Sequence, residues 1–202
     1  MEFKQKDWLG KWTNFENFIY SEEAAIKQCW QEAEGLANMM PMFKDGVKAF
    51  WEKGCDTVSE ENNIRIGGWN IEESKHCMKI EWLDVNGELL GKYDYKLCMI
   101  VPKGLEANEN FLFEAVDAPE GCPFTYVLAM EPMPSREAKL NGGLLSHLHF
   151  QYASKIELLL QEDKLSKPMW YPTMCDGEST LLERCNIVRA LHRLPVWEKL
   201  PK

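Results

Sequence analysis

His147 and His149 stand two residues apart in the run Leu-Leu-Ser-His-Leu-His-Phe-Gln-Tyr, 144–152, and make up half of the chain's four histidines. In extended backbone, residues i and i+2 point to the same face. Two neutral imidazoles side by side offer two nitrogen donors to a borderline cation such as zinc, which then needs one or two further ligands. The same pattern also arises with each ring simply hydrogen-bonded or solvated. The pair by itself admits both readings.

Other candidate groups point less clearly to chemistry. His76 and Cys77 are neighbours in a predicted strand and so face opposite ways, while His192 lies among Arg189, Arg193 and Lys199, where a solvated or packing role is expected. The seven cysteines are odd in number, scattered, and never arranged as Cys-x-x-Cys. That usage fits free thiols in a reducing compartment and leads us to expect a cytoplasmic protein. The first seven residues contain no apolar run of signal-peptide length, and no later stretch approaches the length of a bilayer span. A net charge of -9 without a Lys/Arg cluster argues against a nucleic-acid surface and suits a cation better.

The elements that must position the pair can be read from periodicity. A Ser followed by acidic residues and then Ala25, Ile26, Cys29 and Trp30 predicts a helix over 21–37, and Val47, Phe50 and Trp51 predict a second over 43–53, stopped by Gly54. From 63 to 152 the chain changes to short alternating runs of aromatic and β-branched residues: 64–71, 76–83, 89–101, 110–116, 124–131 and 145–152. Turn-forming stretches separate them, among them Asp84-Val85-Asn86-Gly87 and Asp117-Ala118-Pro119-Glu120-Gly121. A sheet of six to eight antiparallel strands loses its exposed edges by closing, so the expected fold is mainly β, a small barrel. Leu181, Leu182, Cys185, Val188 and Leu191 return to helical spacing over 177–193. We expect a single domain over 1–202, with a helical N-terminal part to about residue 60. Along 145–152 the alternation sets Leu145, His147, His149 and Gln151 on one face and Leu148, Phe150 and Tyr152 on the other. We take the histidine face to look into the lumen and the apolar face to lie under a helix.

These residues also carry a family likeness. Asp7-Trp8-Leu9-Gly10-Lys11-Trp12, Phe50-Trp51-Glu52-Lys53-Gly54, Lys92-Tyr93-Asp94-Tyr95, Phe111-Leu112-Phe113-Glu114, Ser146-His147-Leu148-His149-Phe150 and Trp170-Tyr171-Pro172 follow one another in an order that resembles the ZinT (YodA) family of bacterial zinc-binding proteins. The resemblance implies a lipocalin-like (calycin) barrel with a metal site of three histidines at one mouth, two of them at the positions of His147 and His149. The family's third histidine belongs to the preceding strand, and no histidine stands there in this chain. Carrying the register forward from Phe111-Leu112-Phe113-Glu114 puts Glu131 at that position; counting back from the following proline puts Met130 there. A carboxylate oxygen can replace an imidazole on zinc whereas a thioether is a poor ligand, which favours Glu131. The family's histidine-rich segment is also missing.

The residues and the resemblance together lead us to expect a metal-binding, non-enzymatic barrel with His147, His149 and Glu131 as ligands, for zinc buffering, sensing or transfer. Manganese, iron or cadmium is admitted by the mixed donor set. Two alternatives stand beside it: a calycin-type carrier of a small apolar ligand in the lumen, and a metal-dependent enzyme using an open coordination position.

Overall fold

The computed structural model describes residues 3–36, 40–60, 63–101, 109–133, 147–167 and 172–201. Eight antiparallel strands close into a barrel: β1 (Gly10–Asn14), β2 (Ile66–Glu73), β3 (Met78–Asp84), β4 (Leu89–Val101), β5 (Asn110–Ala115), β6 (Tyr126–Met130), β7 (His147–Ala153) and β10 (Thr173–Asp176). β2 to β7 follow one another as a meander, and β10 closes the ring between β7 and β1. A two-stranded ribbon, β8 (Leu160–Gln161) with β9 (Lys164–Leu165), stands apart from it. The helices are α1 (Glu16–Ile19), α2 (Ala24–Glu34), α3 (Val47–Cys55) and α4 (Leu181–Leu191). The mainly β barrel with flanking helices is therefore present, with α2 and α4 each beginning and ending inside the predicted spans. α3 starts later than predicted, after Gly46, and its first amides are capped by the Glu34 carboxylate, which accepts from Val47 N at 2.9 Å and Lys48 N at 2.7 Å.

The lumen is filled by aromatic side chains. Trp82 stacks on Phe124 with centroids 4.3 Å apart, Trp69 meets Phe150 at 4.7 Å and Trp82 at 5.1 Å, and Trp8 closes against Phe111 and Phe113. Tyr95, wholly buried, receives the Trp82 indole N–H at 3.0 Å and donates its hydroxyl to the Phe124 carbonyl at 2.5 Å. A second core lies outside the barrel wall, where Phe15, Trp30, Phe43, Val47, Cys185 and Val188 pack the helices onto β10 through Cys175.

This arrangement corrects the expected facing of β7. Leu148, Phe150 and Tyr152 belong to the lumen core with Met174 opposite Leu148. His147, His149 and Gln151 point outward, and Gln151 reaches the segment after α3; Leu145 lies outside the described residues. The physical reason is the larger apolar area of the aromatic side chains, which gains most from burial among other rings. The polar face instead finds hydrogen-bond partners on the outer wall. Gln151 donates to the Thr57 carbonyl at 2.5 Å and accepts from the Ser59 hydroxyl.

Candidate metal site

β7 and β10 hold the histidine pair by register: His147 lies opposite Cys175, and His149 opposite Thr173. The N-terminal end of β7 is tied a second time, because Met133 and His147 exchange both backbone hydrogen bonds, at 2.8 and 3.1 Å. The two imidazole rings stand edge to face with centroids 5.7 Å apart. His149 is buried and its Nδ1 lies 2.8 Å from the Thr173 hydroxyl, while His147 is half-buried. Burial, aided by the neighbouring His147, pushes the His149 imidazole down to about 4, so this ring is neutral at physiological pH.

Glu131 is not brought into a ligand set with the pair. It falls just beyond the end of β6, in a stretch where the register with β7 slips: Ala129 opposes Phe150, and Met133 opposes His147, so three residues face two. The last residue of β6, Met130, is fully buried and shares the outer face with Leu128 and Asn110, so the register carries it toward His149. Among the described residues no three or more His, Cys, Asp or Glu side chains are grouped to hold a metal ion. Cys175 shares the face of His147, a neighbour the sequence did not announce, but it packs into the helical core and burial pushes its thiol up to about 12. A thiol held protonated must first lose its proton to become a ligand.

Comparison with protein-family models, curated proteins and solved structures gives no match. The likeness to the ZinT family thus rests on the order of its motifs in the sequence, and the structure adds a closed, lipocalin-like barrel of eight strands. Of the motif residues, Ser146, Trp170 and Tyr171 lie outside the described residues.

Two further groups come together that spacing alone did not reveal. Ser74 donates to Asp94 Oδ1 at 2.6 Å and His76 Nδ1 lies 2.9 Å from Asp94 Oδ2. The hydroxyl serves the carboxylate rather than the ring and accepts from the His76 and Cys77 amides, so the cluster caps a turn and activates no nucleophile. His192 is buried at the end of α4, where it receives the Trp51 indole N–H on Nε2 at 2.9 Å and donates Nδ1–H to the Val188 carbonyl at 2.6 Å. That is the expected packing role. No helix among the described residues is long and apolar enough to cross a membrane.

Proposed function

We propose that this chain is a non-enzymatic barrel protein that takes up one divalent cation, zinc foremost, on His147 and His149, in buffering, sensing or transfer. The observation that carries the reading is the 5.7 Å separation of the two rings on one strand face. With a Zn–N bond of about 2.1 Å and a ring centre about 1.1 Å behind each nitrogen, two imidazoles sharing one ion have centroids within about 6 Å of each other. The neutral state of His149 supports it further, because a metal does not compete there with a second ring proton. The Thr173 hydroxyl on Nδ1 is the outer-sphere support that orients a ligating ring.

The donor set fits half of a tetrahedral zinc site. Water, or a donor from a molecule that delivers or receives the metal, would fill the rest. Such a site exchanges its ion readily, which suits sensing and transfer better than structural binding. The donor set of two imidazoles is all nitrogen, which favours zinc over harder cations such as manganese. The aromatic filling of the lumen speaks against the apolar carrier.

The test is elemental analysis of untagged protein after dialysis against zinc, together with competition against a chelator of known affinity. One zinc per chain is expected, with His147→Ala and His149→Ala each lowering affinity about tenfold or more. Protein that leaves metal-replete dialysis without stoichiometric zinc overturns the function; unchanged affinity in both variants overturns the residues.

A further inference from the structure

One mouth of the barrel, where β1 ends and β2 begins, opens on a cavity of about 170 Å³ whose lining includes Asn14, Glu16, Tyr20, Asp56, Arg65 and Tyr152. Its floor is fixed. The buried Asn14 amide donates to the Ile66 carbonyl at 2.7 Å and to Glu16 Oε2 at 3.2 Å, while its oxygen accepts from the Glu16 amide at 3.0 Å. The Tyr152 hydroxyl is held by the Ile64 amide and by Asn63, at 2.9 and 3.1 Å. These contacts tie Asn14 and Tyr152 into the fold, and the charged residues of the lining are Glu16, Asp56 and Arg65.

Three charged side chains remain. The Arg65 guanidinium sits over the Tyr20 ring, 4.3 Å from its centroid, and it makes no ion pair with any described residue. Glu16 is half-buried, and its burial raises the carboxyl above its usual range against the opposing pull of Arg65. Asp56, exposed at the rim, accepts from Asn63 at 3.4 Å. A guanidinium and two carboxylates thus share one small cavity without pairing directly with each other.

We propose that this mouth binds a small zwitterion of α-amino-acid build, its carboxylate on the Arg65 guanidinium and its ammonium between Glu16 and Asp56. An anion alone would meet two carboxylates, and a cation alone would meet the guanidinium; a molecule carrying both charges answers all three groups. Arginine presents a planar fork that matches a carboxylate with two parallel hydrogen bonds, and stacking on Tyr20 orders that fork before the ligand arrives. The volume lies below the roughly 300–1,000 Å³ of sites for drug-sized molecules, which restricts the occupant to amino-acid size. The proposal uses neither histidine side chain of the pair and stands whether or not that pair binds metal.

Calorimetric titration of the full chain with each standard L-amino acid in turn tests the proposal. At least one is expected to bind one-to-one, and its N-acetyl derivative and its amide, each lacking one charge, to bind about tenfold more weakly or worse. Arg65→Gln and Asp56→Asn, both at exposed positions whose loss leaves the melting transition in place, are expected to weaken binding by a similar factor. The absence of binding by every amino acid at millimolar concentration overturns the proposal. So does equal binding of the N-acetyl derivative or the amide, which marks a site for a single charge, and so does binding that survives both substitutions.

Discussion

The Thr173 hydroxyl lies 2.8 Å from Nδ1 of His149, across the β7–β10 ladder. This contact joins the short closing strand of the barrel to the ring on which the proposed metal site depends. Thr173→Val keeps the shape of the side chain and removes the hydroxyl. Outer-sphere partners of this kind are worth about 10–100-fold in metal affinity, so the variant is expected to bind zinc about tenfold more weakly, measured by chelator competition, with His147 and His149 intact.

Glu131 and Met130 are told apart by a pair of substitutions. Met130 shares the outer face carried toward His149, and Glu131 sits in the register slip beyond it. Met130→His is expected to supply a third imidazole and raise zinc affinity about tenfold or more, whereas Glu131→Ala is expected to leave it unchanged. A loss of affinity in Glu131→Ala under the same competition assay would return that carboxylate to the site.

The alternation from residue 63 to 152 made the meander legible, because a period of two has one structural meaning over so many short runs. It did not say which face turns inward. For β7 that was decided by partners distant in sequence: Trp69, Trp82 and Phe124 close around Phe150 and Tyr152, while Thr57, Ser59 and Thr173 receive the polar side chains. β10 is only four residues, Thr173–Asp176, too short to announce itself, yet it closes the barrel. The pair His147–His149 was legible as a shared face; its third partner was not, since a one-residue slip at the end of β6 changes which residue lies alongside.

That slip has a counterpart in β2, where Gly67 sits in a break of register with β3. A Cβ added to Gly67 would lie 2.1 Å from the Asp84 carbonyl oxygen, a contact backbone cannot yield to cheaply. Gly67→Ala is expected to cost about 2 kcal/mol or more, seen as a lowered urea midpoint. Gly87→Ala serves as the comparison: nothing stands within 4 Å of its added Cβ, and only its positive φ of 81° opposes the change. Its cost is expected to be about 1 kcal/mol.

Stability at acid pH tests the buried imidazoles. His192 is neutral by construction, with Nε2 accepting from Trp51 and Nδ1–H donating to Val188, and burial lowers its affinity for a proton; His149 is pushed down to about 4 by the same cause. In the unfolded chain both titrate near 6.5. Below that pH the unfolded state therefore binds protons that the folded state refuses, and the stabilising contribution present above 6.5 is lost as pH falls. Each such imidazole contributes a slope of about 1.4 kcal/mol per pH unit within its window. His192→Gln is expected to lower stability at pH 7 by about 1 kcal/mol, through loss of the Val188 hydrogen bond, and to flatten the acid limb below pH 6.5. Urea unfolding of both proteins at half-unit steps between about pH 7 and pH 4.5 reads the difference in slope; parallel curves would mean that His192 is protonated in the folded protein and that its bond from Trp51 is not made.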